Sequence, residues 1–317
     1  MISIGLPAVK PQFLADAISS ALNQTFTDFE LIIVNDRADE TIRRIVQTFD
    51  DVRIRYFEVG PILPVVENWN RVLSYAMGDL FVLFSDDDLY HPEFLSEMKM
   101  LLDRYPMSHI AHCRVRKINS EGEVLAFTNM CPEFESGLDF IFHRMLGDRE
   151  QFAPEFVVRT QKLKDSGGFT DLPLAWGSDD LTWFKLAVDG GIAYSSSAFF
   201  DWRQSRFQIS QGGDAGERLN AVDEYSVKLR GFTDTLVAST NDESETLTRI
   251  RLLFSSYMNR QKEHLVAVNA RNTTLAGQLS FFFRHRKKHR LKVRWLLYSC
   301  YSKYFLFFWG VCFLSSL

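Results

Sequence analysis

Short apolar runs alternate with stretches of helical periodicity near the start of the chain. Apolar residues between Phe13 and Leu22 recur at helical spacing, and Asp39 stands where it can cap a second helix. The runs between these stretches predict four strands, at Ile2–Leu6, Glu30–Asn35, Arg53–Phe57 and Leu80–Phe84. Helices that alternate with short apolar strands are typical of a parallel, doubly wound sheet. The sequence therefore predicts an α/β fold.

The pattern becomes mixed farther along the chain. A helix is predicted at Pro92–Tyr105, and Val115–Phe127 predicts a β-hairpin. A short strand at Glu155–Val158 and a helix at Asp179–Val188 follow. Beyond Gly216 the pattern predicts mostly helices. The expected fold is a doubly wound, mostly parallel mixed sheet with helices on both faces and a helical C-terminal region.

Carboxylates stand where predicted strands end. Asp36 follows the second strand, and the run Asp86, Asp87 and Asp88 follows the fourth. Open α/β sheets bind ligands at the carboxyl ends of their strands, so these residues are expected to share one crevice. Adjacent carboxylates repel one another, and a divalent cation that carries phosphates would offset the repulsion. The alternative is a solvated acidic turn.

Charge is distributed unevenly along the 317 residues. Nine of the 36 Lys and Arg residues, but none of the 40 Asp and Glu residues, follow Glu263. The acidic body disfavours a nucleic-acid partner. The four cysteines are far apart and predict neither a zinc site nor a disulfide framework, which fits a reducing compartment. The first residues show no signal-peptide pattern, so the body is expected in the cytoplasm.

The C-terminal tail combines basic and apolar residues. The basic cluster Arg284–Arg290 follows three phenylalanines, and Trp295–Leu317 is apolar and aromatic apart from Lys303 and a few serines. That segment is long enough to cross a bilayer, but Lys303 makes an interfacial helix at least as plausible. The basic cluster would face anionic lipid on the cytoplasmic side. A helical hairpin packed on the body is the alternative.

Three segments in chain order resemble glycosyltransferase family 2, the inverting nucleotide-sugar enzymes of the GT-A fold. They are Phe13–Asp36, Gly78–Pro92 and Gly167–Ala187. The resemblance covers roughly residues 1–210 and implies a GT-A domain at 1–215. The nucleotide-binding half would span about 1–105 and the acceptor half about 106–215. A helical region at 216–280 and the membrane-associating tail at 281–317 would follow.

The resemblance implies roles for the carboxylates of the nucleotide half. Asp36 would accept a hydrogen bond from the uracil N–H, because a carboxylate is a pure acceptor. Asp86 would lie near the ribose, and Asp87 would bind Mg²⁺ or Mn²⁺. The outer Asp of the family's DXD motif is replaced here by Ser85. Arg71 is either a contact to the donor phosphates or part of a solvated helix start.

Two further segments carry the resemblance with departures. Pro7 and Val9 stand where family members often place Thr and Tyr against the base, so the nucleotide would be held mainly by other groups there. Asp179 matches the catalytic base and Asp180 is the alternative, because the register is uncertain by one residue. Ser178 replaces the Glu that precedes this base in the family.

The function implied is a metal-dependent, inverting glycosyltransferase that moves one sugar from a nucleotide-diphosphate sugar, with UDP favoured. The acceptor would be a hydroxyl of a glycan or a lipid-linked molecule, in cell-surface polysaccharide synthesis. Trp202–Arg206 lacks the motif of processive synthases, which favours a single addition. Ser85 and Ser178 motivate a different reading, a catalytically inactive nucleotide-binding or scaffold protein of the same fold. The retained Asp87 and Asp179 argue against it.

Overall fold

Strands and helices alternate as the pattern predicted. The computed structural model describes residues 1–204 and 214–297. Its strands are β1 (Ile2–Pro7), β2 (Phe29–Asn35), β3 (Ile54–Glu58), β4 (Leu80–Leu83), β5 (Leu89–Tyr90), β6 (Ile110–Ile118), β7 (Val124–Phe127), β8 (Phe134–Glu135), β9 (Phe156–Arg159) and β10 (Ile192–Arg203). Its helices are α1 (Leu14–Leu22), α2 (Glu40–Val46), α3 (Val65–Ser74), α4 (Phe94–Arg104), α5 (Gly137–Leu146), α6 (Thr160–Asp165), α7 (Ser178–Ala187), α8 (Ala215–Thr235), α9 (Asn241–Arg271) and α10 (Leu275–His289).

The ten strands in the described part of the chain form one mixed sheet. Eight of them follow the order β3-β2-β1-β4-β9-β6-β10-β5, while β7 pairs with β6 and β8 with β10. Strands β1 to β4 pair in parallel, β9 runs antiparallel to both its neighbours, and β10 is parallel to β6. The predicted hairpin is confirmed, because β7 pairs antiparallel with β6. Parallel pairing brings the ends of β1, β2 and β4 to the same edge, where the predicted carboxylates begin.

Both faces of the parallel strands are buried. Leu31 and Ile33 of β2 belong to one hydrophobic cluster, whereas Ile32 and Val34 belong to the other. Side chains alternate between the faces of a strand, so a strand covered on both faces is apolar throughout. This covering explains why β2 was predicted as one continuous apolar run. The predicted α2 cap is also present, since Asp39 accepts the Thr41 N–H at 2.7 Å.

The C-terminal helices share a core with the sheet. Tyr225 of α8, Phe254 of α9 and Phe282 of α10 lie in the same hydrophobic cluster as Phe156 of β9. Trp295 is also buried in this cluster. The body and the described part of the helical region are therefore packed together, through side chains that leave little of their surface to solvent.

The predicted membrane segment is only partly visible. Within residues 1–204 and 214–297, no helix combines the length and the apolar run required to cross a bilayer. Most of Trp295–Leu317, including Lys303, lies outside the described residues. Trp295 itself packs inside the protein and does not face outward.

Candidate active site

A cavity of about 490 Å³ brings together residues from distant parts of the chain. Lys10, Ser85 and Asp87 come from the loops after β1 and β4, and Asp179 comes from the first turn of α7. Aromatic side chains and two residues of α9 complete much of the wall: Trp69, Phe152, Trp176, Trp202, Tyr225, Gln261 and His264. Asp87, the predicted metal ligand, and Asp179, the predicted base, thus line one cavity.

Asp86 connects the loop after β1 to the end of β4. Its Oδ2 accepts the backbone N–H groups of Val9 at 2.7 Å and Lys10 at 2.6 Å. The Lys10 ammonium lies 3.1 Å from Oδ1. Burial raises the pKa of Asp86 although Lys10 opposes this shift. Asp86 and Val9 lie outside the cavity wall, where their contacts shape the loop that carries Lys10.

Asp87 and Asp88 also have partners within the protein. Lys10 Nζ donates to Asp87 Oδ2 at 2.6 Å, and Asp88 Oδ1 accepts the Arg203 backbone N–H at 2.8 Å. Burial lowers the pKa of Lys10, but the two carboxylates raise it by more, so Lys10 remains a cation. Burial raises the pKa of Asp88 well above its usual range. The repulsion expected in the acidic run is therefore reduced by the chain's own groups.

The oxygen ligands available at Asp87 allow a divalent cation to bind there when phosphates are also present. Among the described residues, no three Asp, Glu, His or Cys side chains form a ready metal site. Lys10 Nζ donates to Oδ2 of Asp87, and Asp87 itself lines the cavity. Mg²⁺ commonly binds through one or two carboxylates and the phosphates of a substrate. Asp87 fits this use, in combination with a nucleotide.

Asp36 lies at the same sheet edge but outside the wall of this cavity. It directly follows β2 and is buried, and its Oδ1 has no hydrogen-bond partner in the described structure. Arg71 Nη2 lies 3.8 Å from its other oxygen. Pro7 is paired with Val34, two positions before Asp36, so β1 ends beside it. A buried oxygen without a partner is suited to accept a hydrogen bond from a ligand.

A glycine leads into the first turn of α7, which contains Asp179 and Asp180. Gly177 precedes α7 with φ of 73°, a left-handed conformation that favours glycine. A Cβ at this position would lie 2.7 Å from the Tyr225 ring. Backbone conformation and packing therefore both require glycine at the residue that leads into the two carboxylates.

Asp180 is engaged by an arginine and two tyrosines. Arg144 of α5 donates from Nε to Oδ1 and from Nη2 to Oδ2, each at 3.0 Å. The Tyr257 hydroxyl donates to Oδ2 at 3.0 Å, and the Tyr225 hydroxyl lies 3.4 Å from the same atom. A bidentate arginine pair with added hydrogen bonds is a strong arrangement for a buried carboxylate. These contacts give Asp180 a structural role between α5, α7 and the C-terminal helices.

Asp179 and Asp180 both line the cavity but differ in their electrostatic surroundings. Burial, followed by repulsion from Asp180, raises the pKa of Asp179 to about 7. A base works best when its pKa is near the working pH. The raised pKa of Asp179 and the pairing of Asp180 with Arg144 distinguish the two carboxylates.

Several residues of this site were not identified from the sequence. Lys10, Arg144, Gln151 and Gln261 carry no local motif, because their importance arises from contacts with distant residues. Both amide atoms of Gln151 are buried without a hydrogen-bond partner in the part of the chain described. Gln151 lines the cavity, so a bound ligand is the natural partner for it.

Comparison with known proteins defines the class. Residues 4–157 match the family model described as glycosyl transferase family 2. An uncharacterised glycosyltransferase of Rickettsia typhi is 26% identical over 249 residues, which cover 74% of this chain and 72% of the relative. The GalNAc(5)-diNAcBac-PP-undecaprenol beta-1,3-glucosyltransferase of Campylobacter jejuni is 28% identical, over 49% of this chain and 55% of the relative.

Solved structures show the same fold at low sequence identity. The structure of S. aureus TarS with UDP-GlcNAc matches 87% of this chain and 82% of its own with a TM-score of 0.65 and 14% identity. The mannosyltransferase PcManGT from Pyrobaculum calidifontis, with GDP-Man and Mn²⁺, matches 95% of this chain and 86% of its own at a TM-score of 0.57 and 12% identity. These structures show that the chain has the GT-A fold. The chain belongs to glycosyltransferase family 2, as its motifs predicted.

Proposed function

We propose that the protein transfers one sugar from a nucleotide-diphosphate sugar, with UDP as the favoured nucleotide, to an acceptor hydroxyl with inversion. The observation that carries this proposal is the shared cavity of Asp87 and Asp179. The diphosphate would lie near Asp87, and the acceptor hydroxyl near Asp179. A single attack from the face opposite the leaving group inverts the anomeric carbon.

Asp179 would act as the general base. The acceptor hydroxyl is a weak nucleophile, and removal of its proton as the new bond forms accelerates such reactions by ~10²–10⁴-fold. With a pKa of about 7, a large share of Asp179 is ionised near neutral pH. Asp179 would hold the transferred proton until it passes to solvent through the cavity.

The donor would be held by groups at the strand ends. Asp87 is the proposed ligand for Mg²⁺ or Mn²⁺, which would stabilise the negative charge of the departing diphosphate as a Lewis acid. Asp36 would accept a base N–H through its unpartnered Oδ1. Asp86, Pro7 and Val9 would shape the neighbouring loop, and Arg71 would hold its charge beside Asp36.

Several other residues of the cavity wall are suited to a glycan acceptor. Trp176, Trp202 and Phe152 offer aromatic surface, and Gln151 and Gln261 offer amide groups. Binding sites of this kind combine apolar walls with a few polar groups that orient the ligand. The relative from Campylobacter jejuni carries an undecaprenol-linked substrate in its name, which supports a lipid-linked acceptor for this chain.

A purified-protein assay against a panel of nucleotide sugars, with and without Mn²⁺, tests this function directly. Transfer or slow hydrolysis of one donor would support the proposal. A protein that binds nucleotide but releases no nucleoside diphosphate with any donor or acceptor would instead be the inactive nucleotide-binding protein considered above.

Asp87→Ala is expected to abolish metal-dependent binding of nucleoside diphosphate, because a cation held by few protein ligands loses its site when one is removed. Calorimetry with UDP in Mn²⁺ compares the variant with the wild type. Asp103→Ala serves as the control, since this exposed carboxylate of α4 pairs with Lys99 and does not line the cavity. Unchanged, Mn²⁺-dependent affinity in Asp87→Ala would remove the metal assignment.

The exposed basic residues of α10 and of the segment that follows it form the proposed membrane-contact face, at the cytoplasmic surface. Phe283 is 64% exposed beside a set of exposed basic residues. These are Arg284, Arg286, Lys287, Lys288, Arg290, Lys292 and Arg294. Each basic residue near an anionic bilayer contributes about 1 kcal/mol of attraction. Lipid-linked acceptors would be presented at the same surface.

Reversal of two charges on this face is expected to weaken binding to anionic vesicles. Arg286→Glu combined with Lys287→Glu should reduce the fraction that sediments with phosphatidylserine vesicles. Binding to pure phosphatidylcholine should change little. The control is Arg44→Glu with Lys99→Glu, which changes the net charge equally at helical sites of the body whose side chains are 76% and 38% exposed. Equal losses in both double variants would show that net charge, and not the α10 face, determines binding.

A further inference from the structure

Lys10 places an ammonium group between the carboxylates of Asp86 and Asp87. Its Nζ lies 2.6 Å from Asp87 Oδ2 and 3.1 Å from Asp86 Oδ1. Its side chain is 16% exposed and lines the cavity beside Asp87. No local sequence pattern marks this lysine, which stands 77 residues before Asp87. A cation therefore already occupies part of the position where a metal at Asp87 would neutralise charge.

The backbone of Lys10 is anchored while its charged end can move. The Lys10 N–H donates to Asp86 Oδ2 at 2.6 Å, and the preceding N–H of Val9 donates to the same oxygen. These bonds hold the loop against the end of β4. Beyond Cα the side chain is a flexible stem that carries three rotatable N–H donors. Nζ can thus exchange one acceptor for another without a change in the loop.

A nucleoside diphosphate supplies such an acceptor. Phosphate oxygens are strong acceptors for lysine, and hydrogen bonds between charged groups are shorter and stronger than those between neutral groups. A divalent cation that approaches Asp87 would meet the Lys10 ammonium at the same carboxylate, where like charges repel. Departure of Nζ from Asp87 toward the diphosphate would remove that repulsion.

We propose that Lys10 binds the diphosphate of the donor and competes with the divalent cation for Asp87. Without nucleotide, the ammonium neutralises Asp86 and Asp87. With nucleotide, it contacts the phosphates and leaves Asp87 to the metal. When metal is scarce, Lys10 retains part of the nucleotide affinity. This inference rests on the proposed function, because it requires the cavity to bind a nucleoside diphosphate.

Lys10→Met tests the proposal with the full chain, UDP and calorimetry. In EDTA, the variant should bind UDP at least tenfold more weakly than the wild type, because it lacks the built-in cation. With saturating Mn²⁺ the difference should become smaller. The Mn²⁺ concentration that gives half-maximal UDP binding should be lower in the variant, because no ammonium competes for Asp87. Lys10→Arg, which keeps the charge, should retain most of the affinity in EDTA.

Lys262→Met is the matched control. Lys262 is similarly buried, with a side chain that is 13% exposed, and its Nζ lies 2.5 Å from Asp223. It does not line the cavity, so its replacement should leave UDP affinity unchanged in both conditions. Thermal melting of all three variants verifies that they are folded at the temperature of the titration.

The outcomes separate this inference from the proposed function. A wild type that binds UDP, together with a folded Lys10→Met variant of equal affinity and equal Mn²⁺ requirement, would overturn the role of Lys10 alone. A wild type that binds neither UDP nor GDP in either condition would overturn the proposed function and this inference with it. A Lys262→Met variant that loses affinity as strongly as Lys10→Met would assign the loss to general destabilisation and also overturn the proposal.

Discussion

Asp179→Asn is expected to reduce sugar transfer by a factor of ~10² or more, while UDP binding stays intact. The amide preserves the shape of the side chain at the start of α7 but cannot take the proton of the acceptor. The proposed donor contacts at Asp87 belong to the loop after β4, and the substitution in α7 leaves them in place. Single-turnover transfer assays and UDP calorimetry measure the two properties separately.

The pH dependence of turnover gives the same test an internal check. Because burial and Asp180 raise the pKa of Asp179 to about 7, the base is increasingly protonated below this pH. Wild-type turnover should fall as pH falls through about 7 and level off above it. The residual rate of Asp179→Asn should not show this decrease at low pH. A variant that keeps both the wild-type rate and the wild-type decrease at low pH would show that another group removes the proton.

The stability of the folded protein should change with pH in the direction opposite to turnover. Asp179 has a folded-state pKa above the usual value of 3.8, so its ionisation favours the unfolded chain as pH rises between these values. The cost to the folded state is complete above about pH 7 and disappears toward the usual pKa. Asp179→Asn removes that cost, so the variant should melt at least as high as the wild type at pH 8. A loss of activity without a loss of stability would identify a functional residue.

The sequence predicted the fold well where signals are local. The buried strands β2 and β4 are apolar runs, and Asp39 caps α2 through a bond to a residue two positions away. Such features depend on neighbours in the chain, so periodicity and capping rules detect them. The placement of β9 between β4 and β6 depends on distant pairing, and no local pattern indicates it.

Sequence motifs predicted which carboxylates belong to the candidate site, but not which charged groups pair with them. Sequence motifs selected Asp87 and Asp179, and these residues share a cavity. They left Asp180 open as the base, because the partner that distinguishes the two carboxylates, Arg144, lies 36 residues earlier. The acidic run likewise suggested an external cation, whereas Lys10 and the Arg203 backbone supply much of the compensation.

The prediction for the C-terminal tail was limited in a similar way, because it depended on composition alone. Composition alone predicted an apolar membrane segment from Trp295 onward, but Trp295 is buried in the core shared by the C-terminal helices. A buried apolar residue and a membrane-facing one look alike in sequence, and only packing distinguishes them. The proposed membrane contact therefore rests on the exposed basic residues of α10 and of the segment after it.

Arg144→Met is expected to lower the free energy of unfolding by about 3–5 kcal/mol, because it leaves the Asp180 charge buried without its partner. The side chain of Asp180 is only 6% exposed, and the arginine supplies two of its hydrogen bonds. Urea unfolding at pH 8 measures the loss. Tyr257→Phe, which removes one hydroxyl from the same carboxylate, should cost about 1 kcal/mol.

Asp180→Asn distinguishes a structural role from a catalytic one. The amide keeps the size of the side chain but loses its charge, so Arg144 becomes the buried ion without a partner. A marked loss of stability is therefore expected, with a decrease in transfer that follows from a disturbed α7 and is smaller than in Asp179→Asn. If Asp180→Asn instead abolished transfer with an unchanged free energy of unfolding, Asp180 would be the base. The stabilising network of Arg144 and the tyrosines would then orient the catalytic carboxylate itself.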